Sequence, residues 1–314
     1  MKQRGGIFVA DSEVLRAEKF AARYFETKAV RFCRAEDALL SVLSALDLPC
    51  GSEIVVSANL CTDISAFVRS RRLELVFSDL CPGSFAPSQE DLVSKLTDRT
   101  KAVVVSHSFG RLSSLEDLSE KLKQKNIPLI EECAGCTGSV YFSDEKILCP
   151  GASGIGCIIE PEFALICCQD EAFAEKLPLS DSISAANFMC RQPDFERVNG
   201  RRRLAVSKYR LLIHEKALLP FVSFPQFGSA SFASASVCPL CVKDRDALKE
   251  YLESQSISCG TLPYAFENTG CPVFEKLKNE LLLLPAEMEI SEAEQEEIVS
   301  RIKYFYRDKN HNLQ

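Results

Sequence analysis

Residues 97–110 read TDRTKAVVVSHSFG, and they contain the strand from which the rest of the fold can be predicted. The centre of this stretch, residues 102–105, is continuously apolar and runs directly into the polar residues Ser106 and His107. A short, uninterrupted apolar run is typical of a strand buried on both faces of a parallel sheet. We therefore predict such a strand at 102–105, with polar residues at its carboxyl end.

The neighbouring segments continue this pattern in both directions. Apolar runs at 54–56, 73–77 and 128–130 alternate with segments of helical spacing, which are residues 11–28, 36–48, 62–71, 88–98 and 114–125. Strands that alternate with helices predict an α/β fold with a mostly parallel sheet covered by helices. Residues 155–159 and 165–168 predict an antiparallel pair that closes this sheet.

The remaining third of the chain has a different organisation. The spacing predicts a long helix at 195–216 with a weak point at Gly200, and a loop or linker at 223–236. A strand at 238–242 and helices at 245–254 and 291–306 follow, the last with Ser291 and Glu294 as a capping box. A chain of this length usually forms two domains. We predict a large α/β domain at 1–190 and a small α+β domain at 191–314.

Composition narrows the class of protein. The 314 residues are 46% apolar and carry a net charge of −7, which argues against a nucleic-acid partner because phosphates require a basic surface. No apolar run approaches the ~20 residues that span a bilayer, and the first residues do not resemble a signal peptide. We expect a cytoplasmic protein with no membrane partner.

Fifteen cysteines are many for a chain without an export signal. An odd count in a reducing compartment favours free buried thiols over disulfides. Two Cys-x-x-Cys pairs, Cys133/Cys136 and Cys238/Cys241, offer four thiolates for zinc, but they are far apart in sequence and lack flanking glycines. We predict no metal site, and a cysteine-based zinc or redox module is kept as an alternative.

Several motifs follow one another in an order that resembles one family. The motifs GSEIVV (51–56), TDRTKAVV (97–104), HSFG (107–110) and LIEECA (129–134) are similar to G-D-E-V-I-V, T-x-R-T-K-A-I-I, H-x-Y-G and V-I-E-D-A-A of the DegT/DnrJ/StrS aminotransferases. These are pyridoxal-phosphate (PLP) enzymes that aminate keto-sugars on nucleotides. The resemblance covers roughly residues 10–305. It implies the aspartate-aminotransferase-like fold type I, and a dimer whose active sites take residues from both subunits.

The resemblance also implies a catalytic lysine, which forms a Schiff base with the cofactor. The family places it in an S-x-x-P-x-K stretch that precedes a glycine-rich turn. The corresponding residues 158–163 read IIEPEF and continue directly into the next strand, so Phe163 is nearest to the lysine position. No lysine lies between Lys146 and Lys176, and we interpret Lys146 as a turn residue.

The other cofactor positions are altered as well. Glu132 occupies the place of the aspartate that pairs with the pyridine nitrogen. The phosphate turn, S-G-T in the family, reads Arg34-Ala35-Glu36, where Glu36 repels a phosphate and Arg34 compensates in part. Residues 59–62 offer no ring to stack on the cofactor. We interpret His107 as a packed or capping residue in preference to a general base.

These losses predict a degenerate homologue that does not carry out PLP Schiff-base transamination and acts as a binding or partner subunit. Its vestigial cofactor residues would be Glu132, His107, Arg34, Ala35 and Glu36, with no cofactor, or PLP if the family's cofactor is retained. We expect a homodimer, or a heterodimer with an active paralogue, and a nucleotide-sugar-like ligand. The alternative is an active PLP-dependent sugar aminotransferase or dehydratase-like enzyme on nucleotide-linked keto-sugars with an unconventional site.

Overall fold

The strands of the protein form one large mixed sheet and two small antiparallel sheets. The structure is a computed structural model that describes residues 5–142, 147–226, 231–232, 237–261, 265–266 and 269–311. In chain order the strands are β1 (Ala29–Cys33), β2 (Glu53–Ser57), β3 (Glu74–Ser78), β4 (Thr100–Ser106), β5 (Leu129–Ala134), β6 (Val140–Phe142), β7 (Ile147–Leu148), β8 (Ile155–Ile159), β9 (Ala164–Cys168), β10 (Val222–Ser223), β11 (Ser231–Phe232), β12 (Val237–Val242) and β13 (Leu281–Pro285).

Helices cover these sheets and connect their strands. They are α1 (Gly5–Tyr24), α2 (Ala38–Ala45), α3 (Ser65–Ser70), α4 (Gln89–Ser94), α5 (Glu116–Gln124), α6 (Glu171–Ala174), α7 (Ser182–Arg191), α8 (Phe195–Glu215), α9 (Arg245–Ser254), α10 (Pro272–Glu280) and α11 (Glu292–His311). Two 3-10 turns, Ala35–Asp37 and Gln192–Asp194, precede α2 and α8. No helix in the described part of the chain is both long enough and apolar enough to cross a membrane.

The large sheet has the strand order β1-β9-β8-β5-β4-β2-β3. Strand β2 pairs in parallel with β3 and β4, β4 with β5, and β5 with β8, whereas β9 is antiparallel to both β8 and β1. The predicted mostly parallel sheet and its closing antiparallel pair are therefore confirmed. The carboxyl ends of β2, β4, β5 and β8 lie at one edge, where ligands bind in open α/β sheets.

The apolar core explains why residues 102–105 lack an alternating pattern. Val104 packs with Leu39 and Val56 on the α2 face of the sheet, and Val103 and Val105 pack with Leu118 of α5 on the other. Because successive side chains of a strand point to opposite faces, both sets are buried. Burial on both faces is what a continuously apolar strand requires.

Some predicted boundaries were wrong. The helix predicted at 11–28 ends at Tyr24, and the unpredicted strand β1 follows it at the sheet edge. The predicted weak point at Gly200 does not break the helix, because α8 runs continuously through it. A Cβ added at Gly200 would meet no atom within 4 Å, so packing does not require a glycine there. The predicted loop at 223–236 includes the end of β10 and all of β11, and its residues 227–230 and 233–236 lie outside the described residues.

The C-terminal part forms its own sheet and helical layer. Strand β12 pairs antiparallel with β10 and β13, and α8, α9 and α11 pack against it around Tyr209, Leu248 and Ile302. The predicted capping box is confirmed, because the Ser291 N–H donates to Glu294 at 2.8 Å and the Glu294 N–H donates to the Ser291 hydroxyl at 3.2 Å. The predicted domain boundary near residue 190 stays a prediction.

Candidate ligand site at the edge of the central sheet

Glu132, the residue at the predicted cofactor-aspartate position, is fully buried on β5. One carboxylate oxygen accepts from the Cys61 N–H at 3.0 Å and from the Ser106 hydroxyl at 2.6 Å. The other accepts from the Thr62 N–H at 2.9 Å and from the Thr62 hydroxyl. The four donors belong to the chain itself, and they satisfy both oxygens of the carboxylate. Glu132 therefore ties the segment before α3 to the sheet.

Cys61 lies in this segment, in the region where the family's stacking ring was expected. Burial, and after it the charge of Glu132, raise the pKa of the Cys61 thiol well above its ordinary value. The thiol therefore stays protonated and is a poor nucleophile at neutral pH. An aromatic ring does reach the site from elsewhere, because Phe109 lines the adjoining cavity and packs edge-to-face on Phe85 at 5.1 Å.

His107 and Glu131 form a second buried pair beside Glu132. The His107 Nε2 and a Glu131 carboxylate oxygen are 3.0 Å apart, and the other Glu131 oxygen accepts from the Ser153 N–H at 2.8 Å. The Ser113 N–H donates to His107 Nδ1 at 3.2 Å. Because Nδ1 accepts, Nε2 carries the proton and donates to Glu131. Both ring nitrogens are thus occupied, which agrees with a packed residue and not with a free general base.

The same pair bears on metal binding. His107, Glu131 and Cys133 place their ligand atoms within 4.8 Å of one another. A metal on Nε2 would need the nitrogen that carries the proton, while Nδ1 is already taken by Ser113. Burial, before any other cause, raises the pKa of Cys133, so a thiolate ligand is disfavoured as well. All fifteen cysteines of the chain have free thiols.

The predicted lysine position lies in a tight hairpin. Ile159 of β8 pairs with Ala164 of β9, and the Glu160 N–H donates to the Phe163 carbonyl at 2.9 Å across the turn. Phe163 is buried and packs on the rings of Phe188 and Phe195, at centroid distances of 5.3 and 5.9 Å. The hairpin contains no lysine. Lys146 lies outside the described residues.

The phosphate turn is exposed and acidic. Arg34 pairs with Asp37 at 2.7 Å and with Glu36 at 3.4 Å; the Arg34 and Glu36 side chains are largely in solvent, and the Asp37 side chain is half-buried. The Arg34 charge is therefore compensated by two carboxylates at the start of α2. A phosphate dianion here would meet one more negative than positive charge, which opposes the attraction that a helix N-terminus offers.

A cavity of about 520 Å³ lies above these groups, at the carboxyl ends of the parallel strands. Of the predicted cofactor residues, Ala35 and His107 line it, Glu132 lies beneath it behind Cys61, and Arg34 and Glu36 do not line it. Sequence reasoning missed the charged groups on its walls, which are Glu160, Arg202 and Glu287. In the sequence, residues 160–163 were considered only for their missing lysine. The charged side chain of Glu160 could already have indicated a polar wall of a site there.

The described residues do not fit PLP as the family binds it. The carboxylate predicted for the pyridine nitrogen is saturated by internal donors, and the predicted Schiff-base position lies in a hairpin without a lysine, where Phe163 is buried. The phosphate position is acidic and exposed. A cavity lies beside the predicted cofactor residues, but the three groups predicted to hold the cofactor are each committed to another contact.

The comparisons with known proteins agree with the predicted resemblance. Residues 3–150 match the model of the DegT/DnrJ/EryC1/StrS aminotransferase family. The chain is 23% identical to the pleiotropic regulatory protein of Geobacillus stearothermophilus, over 97% of this chain and 92% of that protein. It is also 23% identical to dTDP-3-amino-3,6-dideoxy-alpha-D-galactopyranose transaminase of Aneurinibacillus thermoaerophilus, over 90% and 89% of the two chains.

A solved structure gives the same result for the fold. The aminotransferase TlmJ from Streptoalloteichus hindustanus superposes with a TM-score of 0.82 at 19% identity, covering 95% of this chain and 92% of that one. The predicted fold type I and the predicted family resemblance are therefore confirmed.

Proposed function

We propose that this chain, whose residues 3–150 match the model of the DegT/DnrJ/EryC1/StrS aminotransferase family, binds a small molecule without Schiff-base chemistry. The observation that carries the proposal is the β8–β9 hairpin, which joins paired strands where the catalytic lysine and its loop would stand. The saturated Glu132 carboxylate and the acidic phosphate turn support it. The protein then acts as a binding or partner subunit in the cytoplasm.

A regulatory or partner function is compatible with the relatives. One of them, at 23% identity, is described as a pleiotropic regulatory protein. Large apolar side chains are exposed beside α7, where Leu179 is 95% and Ile183 is 69% accessible. Such residues suit a surface covered by a second subunit. We propose a homodimer, or a heterodimer with an active paralogue. A strictly monomeric mass of the purified protein in light scattering would contradict the homodimer.

The experiment is equilibrium dialysis of the purified protein against PLP. Because the charge at the phosphate turn is unfavourable and the pyridine carboxylate is occupied, we expect a Kd weaker than about 1 mM, equivalent to less than ~4 kcal/mol of binding free energy. Glu36→Lys, which reverses the charge of that turn, is the matched variant and should strengthen binding only a few-fold. Retention of PLP at micromolar concentration would contradict the proposal.

That contradicting result would favour a second candidate, an enzyme acting on nucleotide-linked keto-sugars with an unconventional site. The observation that favours it is His107, which lines the cavity and is held by Glu131. A relative at 23% identity is described as a sugar transaminase. This candidate predicts that His107→Asn abolishes turnover of a nucleotide-linked keto-sugar while the protein stays folded.

A further inference from the structure

A second cavity adjoins the cavity at the sheet edge. The second has a volume of about 310 Å³ and lies between the β8–β9 hairpin and α8. The two share the residues Glu160, Pro161, Arg202 and Glu287 as walls. Glu160 therefore faces both cavities, at their junction.

The two cavities differ in the character of their walls. Apolar side chains dominate the larger one, among them Phe109, Ile159, Val237 and Leu283. The smaller one is charged, with the carboxylates Glu160, Glu162, Asp194, Glu287 and Glu289 and the guanidinium groups Arg191 and Arg202. A ligand that spans the junction would thus have an apolar body and a polar head.

The charges favour a cationic head. Arg202 is paired with Glu287 at 3.0 Å, Arg191 with Glu162 at 3.2 Å, and Asp194 with Arg197 at 3.0 Å. Glu160 accepts one backbone bond, from Thr137 N–H at 3.0 Å, and no ion pair to it is found among the described residues. After this pairing the negative charge of Glu160 is left at the junction. An anionic head would have to displace Glu287 from Arg202 and approach Glu160.

The burial of Glu160 also favours a cationic ligand. Burial raises the pKa of its carboxyl group, against the smaller opposing effects of the Thr137 hydrogen bonds and the Arg202 charge. Burial deprives a carboxylate of part of its hydration, and a cation that binds the carboxylate compensates for that loss.

We propose that the joined cavities bind an amphipathic amine, with its apolar body against Phe109 and Leu283 and its ammonium group on Glu160. This inference rests on the proposed function, because a phosphate-bearing cofactor in the larger cavity would exclude such a ligand. The expected ligand is therefore a cation and not an anion. Nucleotides and sugar phosphates are expected to bind weakly at this junction.

Three probes of one shape test the charge preference: benzylamine, benzyl alcohol and benzoate. Their affinities are measured by NMR titration of the natural protein at neutral pH. Both benzylamine and benzyl alcohol can donate a hydrogen bond to the Glu160 carboxylate, but only benzylamine adds a positive charge, so we expect it to bind about tenfold more tightly. Benzoate should bind more weakly than either. Equal affinities, a preference for benzoate, or no binding of benzylamine would overturn the inference.

Two variants locate the site. Glu160→Gln should remove the advantage of benzylamine while benzyl alcohol binds as before, and Glu175→Gln, which alters an exposed carboxylate that lines neither cavity, should leave both affinities unchanged. An unchanged benzylamine affinity in Glu160→Gln would overturn the assignment. PLP dialysis on the same samples separates the two failures. PLP retention contradicts the proposed function, whereas a failed amine preference without PLP retention contradicts this inference alone.

Discussion

Glu132→Ala is expected to lower the free energy of unfolding by about 4 kcal/mol, because it leaves four donors without their buried acceptor. These are the Cys61 and Thr62 N–H groups and the Thr62 and Ser106 hydroxyls. Urea denaturation followed by circular dichroism measures the loss as a shift of the midpoint. Glu132→Gln should lower the free energy of unfolding by about half as much. Its amide oxygen still accepts hydrogen bonds, but its amide NH₂ group faces some of the same donors and cannot accept from them.

The matched control is Glu36→Ala in the exposed phosphate turn, which should change stability by less than about 0.5 kcal/mol. The two carboxylates belong to the same predicted cofactor site, so the contrast isolates the structural role of Glu132. A carboxylate kept for a cofactor would behave differently. Its removal would relieve a buried charge and leave the stability unchanged or raised. Such an outcome would contradict the structural role argued for Glu132.

Phe163→Lys is expected to destabilise the protein by about 4 kcal/mol without creating a PLP site. Removal of a buried aromatic side chain alone costs about 3–5 kcal/mol, and the lysine amine would enter the ring cluster formed with Phe188 and Phe195. Denaturant unfolding gives the stability. Addition of PLP to the folded fraction should produce no imine absorbance.

Phe163→Leu is the conservative control, and we expect it to lose only about 1–2 kcal/mol because much of the volume is kept. Full stability of Phe163→Lys together with a Schiff-base spectrum would show that the hairpin still presents a lysine position to the cavity. That result would contradict the replacement of the catalytic loop by a structural turn.

Much of the fold could be predicted because it depends on local patterns. Residues 102–105 and 54–56 are continuously apolar, and that pattern alone indicates a strand covered on both faces. Strand β1 was missed because Arg31 interrupts its apolar residues and no turn signal separates it from the preceding helix. Arg31 is tolerated through an ion pair with Glu18 of α1 at 3.0 Å, a contact that only the folded chain supplies.

The site could be predicted only in part for the same reason. The absence of a lysine near Phe163 is a property of the sequence. The saturation of Glu132 is not, because its backbone donors, Cys61 and Thr62, come from about 70 positions earlier along the chain. The role of Glu160 depends likewise on walls contributed by α8 and by the segment after β13. Contacts between distant segments decide what each carboxylate does.

The central claim, that no lysine of this chain forms a Schiff base with PLP, is tested most directly by borohydride reduction. The natural protein is incubated with one equivalent of PLP, reduced, digested and analysed by mass spectrometry for a pyridoxyl group on each lysine. We predict only sparse modification spread over exposed lysines, unchanged in Lys146→Arg. Nearly complete modification of one lysine, lost when that residue is replaced by arginine, would contradict the account.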